Sequence, residues 1–303
     1  MEKPYPKTVL ALAGPTAVGK TGVAIALAQH FKTEIVSFDS RQFYRELKIG
    51  AAPPSTQELA KAPHHFIGHL SVDEEWSAGQ FEKAALKKVE ALFKNHNLII
   101  LVGGSGLYLR AFCQGLDEMP TVEPHHRTAL NAVLETQGLP ALQEELAQKD
   151  PDFYEKVDLQ NPQRIIRALE LIRGSGKTYT ELRQQSHRQR PFNILKVGLN
   201  LPRPQLYARI NERVDLMVAQ GLVQEAQDLL PYQEKNALQT VGYKELFKYF
   251  GGLLSLEEAI VEIKKNSRRY AKRQITWFKK EPGLQWFNPT DVPELIKLLK
   301  PYA

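Results

Sequence analysis

With 303 residues, 43% of them apolar and 24% charged, the chain can bury a substantial core in one or two domains and has the composition of a soluble globular protein. No apolar run approaches the roughly 20 residues that span a bilayer, the polar start MEKPYPK is unlike a secretory signal, and one cysteine, Cys113, excludes an internal disulfide or a zinc cluster. The expectation is a cytoplasmic protein with no membrane partner, in which Cys113 is a small buried apolar residue.

In chain order, the apolar run Val9, Leu10 and Leu12 predicts a buried parallel strand. It leads into the phosphate-loop pattern Gly14, Pro15, Thr16, Ala17, Val18, Gly19, Lys20, Thr21. The glycines let successive N–H groups converge on phosphate oxygens. Lys20 supplies a mobile cation, and the Thr21 hydroxyl can ligate a Mg²⁺ shared with the phosphate. A helix follows with Val23, Leu27 and Phe31 on one face, and its N-terminal dipole adds to the anion site. Strand, loop and helix in that order predict a diphosphate or triphosphate ligand.

Residues 34–38 read as a second strand, ending at Asp39, where the carboxyl end of a parallel strand faces the ligand crevice. Asp39 also suits an N-cap for a short helix over 42–47, and the two readings are compatible. His64 and His65 on an extended segment point to opposite sides, so a loop packed beside the site is expected rather than a metal pair. Residues 77–93 predict an amphipathic helix and 97–102 a third buried strand. That strand ends in Gly103, Gly104 and Ser105 instead of the Asp that organises Mg²⁺ and water in phosphate-loop ATPases. Asp39 is then the acid left at a strand end near the loop.

From residue 117 to about 190 the strand–helix rhythm gives way to helices. The segment is polarised: residues 117–160 carry ten acids and three bases, residues 161–190 two acids and seven bases. The second half therefore faces something anionic, although any one of its arginines also fits a solvated surface. Residues 193–201 return to strand character, and a helix over 205–220 ends at Gly221. Arg209 and Arg213, four residues apart, can grip a diphosphate by forked hydrogen bonds or pair with acids on the surface. Residues 259–280 predict a helix with Ile260, Ile263, Ser267, Tyr270, Gln274 and Trp277 toward the core and Lys264, Lys265, Arg268, Arg269, Lys272 and Arg273 outside. The net charge of +6 is concentrated there: residues 264–280 hold eight Lys or Arg and no acid, a stronger nucleic-acid signal than an evenly high pI.

The stretches GPTAVGKT, DSRQFY, IGAAPPS, PHHFIGHL, LVGGSGLYLRAF, NPQRIIRALE, LYARINERVDLMVAQGLVQE, LQTVGYKEL and SRRYAKRQITWFKK together resemble the bacterial tRNA dimethylallyltransferases, or tRNA isopentenyltransferases, in family order to about residue 280. The resemblance implies a fold and a reaction. The fold is α/β, a P-loop NTPase-like parallel sheet flanked by helices (residues 1–116 and 193–303) with an all-helical insertion that contacts tRNA (residues 117–192). The reaction moves a dimethylallyl group from dimethylallyl diphosphate to the N6 amine of the adenosine 3′-adjacent to the anticodon (position 37) in tRNAs reading codons that start with U.

By the same resemblance Asp39 is the general base and Ser105 orients the amine, where the family has Thr. The phosphate loop with Arg209 and Arg213 holds the diphosphate, and Mg²⁺ is the cofactor. The tRNA anticodon stem-loop meets Asp39, Ser40, Arg41, Gln42, Ser105, Arg127, Gln163, Arg164, Ile165, Ile166 and Arg167, with Arg268, Lys272 and Arg273 holding its backbone. IGAAPP stands where the family commonly has IGTAKP, which removes a lysine from that loop. The protein is expected to act as a monomer. The rival readings are an adenylate isopentenyltransferase acting on free AMP, ADP or ATP, a small-molecule phosphate-loop kinase, and a nucleic-acid-binding module without catalysis.

Overall fold

The computed structural model describes residues 7–183 and 188–303; residues 1–6 of the polar start and 184–187 of the helical segment lie outside it. In chain order the elements are β1 (Thr8–Ala13), α1 (Lys20–Phe31), β2 (Ile35–Ser37), α2 (Thr56–Leu59), β3 (His64–His65), α3 (Ala78–Leu92), β4 (Leu98–Gly103) and α4 (Gly106–Gln114). Then come α5 (Pro124–Gln137), α6 (Leu139–Lys149), α7 (Pro151–Tyr154), α8 (Pro162–Ser175) and α9 (Tyr179–Leu182). The chain closes with β5 (Asn193–Leu199), α10 (Arg203–Ala219), α11 (Leu222–Asp228), α12 (Tyr243–Phe250), α13 (Leu256–Phe278), β6 (Leu284–Phe287) and α14 (Val292–Leu299). It divides into two units, Met1–Cys113 with Arg190–Ala303, and Gln114–Gln189. Among the described residues no helix is long and apolar enough to cross a membrane.

The larger unit is built on a six-stranded sheet in the order β3-β2-β4-β1-β5-β6 with every pair parallel. All six residues of β1 are buried, as a central parallel strand covered on both faces requires. One face packs Val9, Ala11 and Phe38 with Phe81 and Ile263; the other packs Leu10 and Leu12 with Val23, Leu27 and Ile210. Cys113 is buried, and burial pushes its thiol up to about 12. Register matters most for function. Ala13 is opposite both Gly103 and Gly198, and Ser37 is opposite Val102. The residues just past β1, β2 and β4 (the phosphate loop, Asp39 and Gly104) therefore leave the sheet at one edge.

Several expectations need correction. Residues 42–47 form turns, not a helix, because their backbone groups pair elsewhere: Arg45 N–H donates to Leu70 O and Leu70 N–H to Phe43 O, both at 2.9 Å. His64 and His65 are a short edge strand rather than a loop, in register with Ile35 and Val36, and His65 Nε2 lies 2.7 Å from a Glu34 carboxylate that also meets His96 at 3.3 Å. That carboxyl lies below the usual range, and its imidazole partners counter the opposing effect of burial. Helix α13 starts earlier than periodicity suggests because Ser255 and Glu258 form a capping box. Strand β6 was not anticipated.

The smaller unit has its own core, with Leu130 from α5, Leu142 and Leu146 from α6, and Ile165, Ile166 and Leu169 from α8. Asn161 caps α8, accepting from Arg164 N–H, and Gly176 ends it at φ 72°.

Candidate active site

The phosphate loop needs its glycines for two different reasons. At Gly14 a Cβ would lie 2.7 Å from the Leu199 carbonyl oxygen, so the loop crosses β5 with no room for a side chain. Gly19 has φ 105°, the left-handed region, just before α1 begins. Val18 is fully buried and anchors the loop in the core. Lys20 Nζ donates to the carbonyls of Gly14 (3.0 Å) and Pro15 (2.8 Å). Burial pushes its ammonium down to about 8, partly offset by the Asp39 carboxylate and reinforced by Arg213.

Both arginines of α10 reach this loop. Arg209 Nη1 donates to the Val18 carbonyl at 3.3 Å and Arg213 Nη1 to the Thr16 hydroxyl at 3.4 Å. Among the described residues neither is spent on an ion pair with a neighbouring acid. Burial depresses the Arg213 guanidinium, with Asp39 and Glu58 working against that shift.

Asp39 shares one cavity of about 490 Å³ with Thr16, Lys20, Thr21, Arg209 and Arg213. Its Oδ1 accepts from Arg41 N–H at 3.1 Å, which fixes the carboxylate within a tight turn after β2. Val102, Ile210, Val214, Met217, Val241 and Ile263 give the cavity apolar surface among polar neighbours that include Gln42, Glu58 and Ser267. Tyr270 lines it too, its hydroxyl pushed up to about 12 by burial and then by the Asp39 charge. Ala51, Ala52, Pro53 and Pro54 form one rim, so the loop lacking the lysine borders this space.

Ser105 stands one step back. It is 9% exposed and lies outside the cavity lining; its Oγ accepts from Ser40 N–H and donates to Ser40 Oγ, both at 3.0 Å. The hydroxyl therefore braces the residue after Asp39.

Two residues that sequence reasoning did not single out hold the site together. Gln274 of α13 accepts from Thr16 N–H and donates to the Gly104 carbonyl, each at 2.9 Å, tying the phosphate loop to the end of β4. A buried polar side chain in an apolar helical stripe was the available signal. Glu225 accepts from Lys48, Ile49 and Gly50 N–H at 2.8, 2.8 and 2.9 Å and from the Tyr243 hydroxyl at 2.7 Å. Glu225→Ala leaves those donors unmatched, and a loss of about 2–4 kcal/mol is expected in urea unfolding. A value within 0.5 kcal/mol of wild type would show the loop is held otherwise.

The expected tRNA-contact residues fall into distinct groups. In the helical unit Arg127 donates to Glu170 (3.1 Å) and Gln163 (2.9 Å), and Arg167 meets the same Glu170 at 3.3 Å. These partners hold the two guanidinium groups in place while leaving them 43% and 44% exposed. Arg164 is exposed on the same helix. Ile165 and Ile166 are fully buried, so their side chains belong to the core and not to a contact face. In the larger unit Arg41 donates to the Asn236 and Ala237 carbonyls, Gln42 to the Ala52 carbonyl, and Arg268 to Asn211 Oδ1. Lys272 and Arg273 are exposed on α13.

The family model described as IPP transferase matches residues 42–281. tRNA dimethylallyltransferase 1 of Phocaeicola vulgatus is 47% identical over 294 residues, covering 97% of this chain and 98% of the relative. tRNA dimethylallyltransferase of Christiangramia forsetii is 51% identical over 275 residues, 91% of each chain. Among solved structures, the full-length tRNA isopentenylpyrophosphate transferase of Bacillus halodurans superimposes with a TM-score of 0.72 at 35% identity, covering 97% of this chain and 96% of that one. A eukaryotic dimethylallyltransferase acting on tRNA gives 0.75 at 27% identity, covering 96% of this chain and 76% of that one. With a match over most of its length and relatives near half identity, the chain belongs to the IPP transferase family.

Proposed function

We propose that this chain transfers the dimethylallyl group of dimethylallyl diphosphate to the N6 amine of the adenosine 3′-adjacent to a tRNA anticodon, releasing diphosphate. One observation carries the reading: Lys20 and Thr21 of the phosphate loop and the carboxylate of Asp39 line the same cavity, which also contains apolar side chains. A diphosphate with a five-carbon tail matches that combination, with its charge at the loop and its tail along Ile210, Val214 and Ile263.

The loop amides, Lys20, Arg209 and Arg213 stabilise the charge that develops as the allylic C–O bond breaks. Thr21 lines the cavity with an oxygen donor, which fits Mg²⁺, an ion commonly held by one or two protein oxygens plus substrate phosphates. When bound, the ion adds positive charge at the leaving diphosphate. As N6 bonds to the allylic carbon, its proton passes to Asp39, which relieves the positive charge on a weakly basic amine. Ser105 sets Ser40 and thereby the turn that carries Asp39. The target adenosine must leave its stack, a cost of a few kcal/mol that contacts to loop bases and phosphates offset. Asp39 to Gln42, Arg127, Gln163, Arg164, Arg167, Arg268, Lys272 and Arg273 are the proposed contacts, and the enzyme acts as a cytoplasmic monomer.

Incubation with Mg²⁺, labelled dimethylallyl diphosphate and either unmodified tRNA or AMP tests the reading. Label is expected in tRNA alone; label in AMP, or γ-phosphate transfer from ATP without prenylation, would overturn it.

The depressed Lys20 adds a pH dependence. A bound diphosphate favours the ammonium form, which is fully present below about 8 and is lost above it. Donor affinity should hold below pH 8 and weaken up to about tenfold per unit above it. Calorimetric titration from pH 6.5 to 9.5 checks this, and a flat profile would show that Lys20 does not carry the affinity.

A further inference from the structure

A second cleft, of about 640 Å³, lies beyond the ends of β5 and β6 between the first turns of α10 and the last turns of α13. It adjoins the phosphate loop, since Pro289 Cβ, next to the cleft residue Asn288, lies 3.7 Å from where a Gly19 Cβ would sit. Three cations line it, Arg203, Lys272 and Lys279, against one carboxylate, Asp291. That carboxylate is already engaged, accepting from Asn288 N–H at 2.8 Å and the Thr290 hydroxyl at 3.4 Å. The Arg203 guanidinium is set over the Tyr207 ring, 5.0 Å from its centroid.

The cleft is also aromatic. Trp286 lines it and is 37% exposed although it is the largest side chain of β6, and part of its ring packs on the bare backbone of Gly198, where a Cβ would lie 2.8 Å from it.

We propose that this cleft binds a nucleoside phosphate: a base against Trp286 and its phosphate held by Arg203 and Lys279. An acidic peptide would satisfy the cations but leave the exposed indole face without a stacking partner. Aromatic stacking with a cationic rim is the general means of holding an unpaired nucleotide. The ligand is either a free nucleotide or an unpaired nucleotide of the RNA chain; in the second case the cleft extends the proposed tRNA contacts, with which it shares Lys272.

Tryptophan emission of the full chain is titrated with AMP, with a short single-stranded RNA and with tRNA. Saturable quenching is expected, lost in Trp286→Phe and weakened at least tenfold in Arg203→Glu with Lys279→Glu, while the donor affinity of both variants stays at wild type. Quenching by AMP assigns the cleft to free nucleotides, and quenching by RNA but not AMP assigns it to the RNA chain. No quenching by any of the three, or quenching that persists in Trp286→Phe or at unchanged affinity in the charge-reversed variant, overturns the proposal. Because donor affinity is read separately, failure here leaves the assignment of the phosphate loop untouched.

Discussion

Asp39→Asn is expected to bind donor and tRNA about as the wild type does and to lose about 10²–10⁴-fold in single-turnover rate. The substitution is conservative in geometry. The oxygen that accepts from Arg41 N–H is retained, so the turn after β2 stays closed. What disappears is the ability to take the proton from N6. The change also removes a negative charge that supports protonation of Lys20 and Arg213, so the comparison belongs near pH 7, well below about 8, where Lys20 remains charged. A single-turnover rate within threefold of wild type would rule out Asp39 as the base. Equal losses in tRNA affinity and rate would instead make it a binding residue.

Lys20→Met should produce the opposite pattern. The methionine keeps the length and apolar stem of the lysine while removing the ammonium that bonds the Gly14 and Pro15 carbonyls. Donor kcat/KM is expected to fall about 10²–10³-fold, the scale for removing one preorganised donor at a developing charge. tRNA affinity should be unchanged, and the weakening of donor binding above pH 8 should vanish with the titrating group. If the variant instead lost tRNA affinity at unchanged donor affinity, the loop would serve the RNA and the division of the cavity would be reversed.

Much of this site was legible because its signals are local. The apolar run of β1, the glycine spacing after it and the helix that follows lie within residues 8–31, and parallel register then fixes where Asp39 emerges. Arg209 and Arg213 stood out by their four-residue spacing, although only the fold shows that both reach the loop.

What was not legible depends on partners far away in sequence. Gln274 joins groups 258 and 170 residues away, and Glu225 closes a loop 175 to 177 residues before it. A glutamine in an apolar helical stripe signals a buried partner but not which one, and a glutamate on a short helix gives no local sign of such reach. Strand β6 escaped because it is a four-residue edge strand with two exposed positions and no apolar run. The turns over 42–47 defeated the helix reading because pairing with Leu70 captures their backbone groups. Ile165 and Ile166 show the converse error. A contiguous contact stretch on a helix always includes residues facing the core, so the exposed face is Gln163, Arg164 and Arg167.

The division of labour within one cavity is tested most directly by a crystal structure of the protein with Mg²⁺ and an unreactive thioether analogue of dimethylallyl diphosphate. The diphosphate should lie on the N–H groups of Gly19 to Thr21 with Lys20 Nζ turned from the Gly14 and Pro15 carbonyls onto it, and the allylic carbon should face Asp39. A diphosphate bound away from the loop, or an allylic carbon walled off from Asp39, would contradict it.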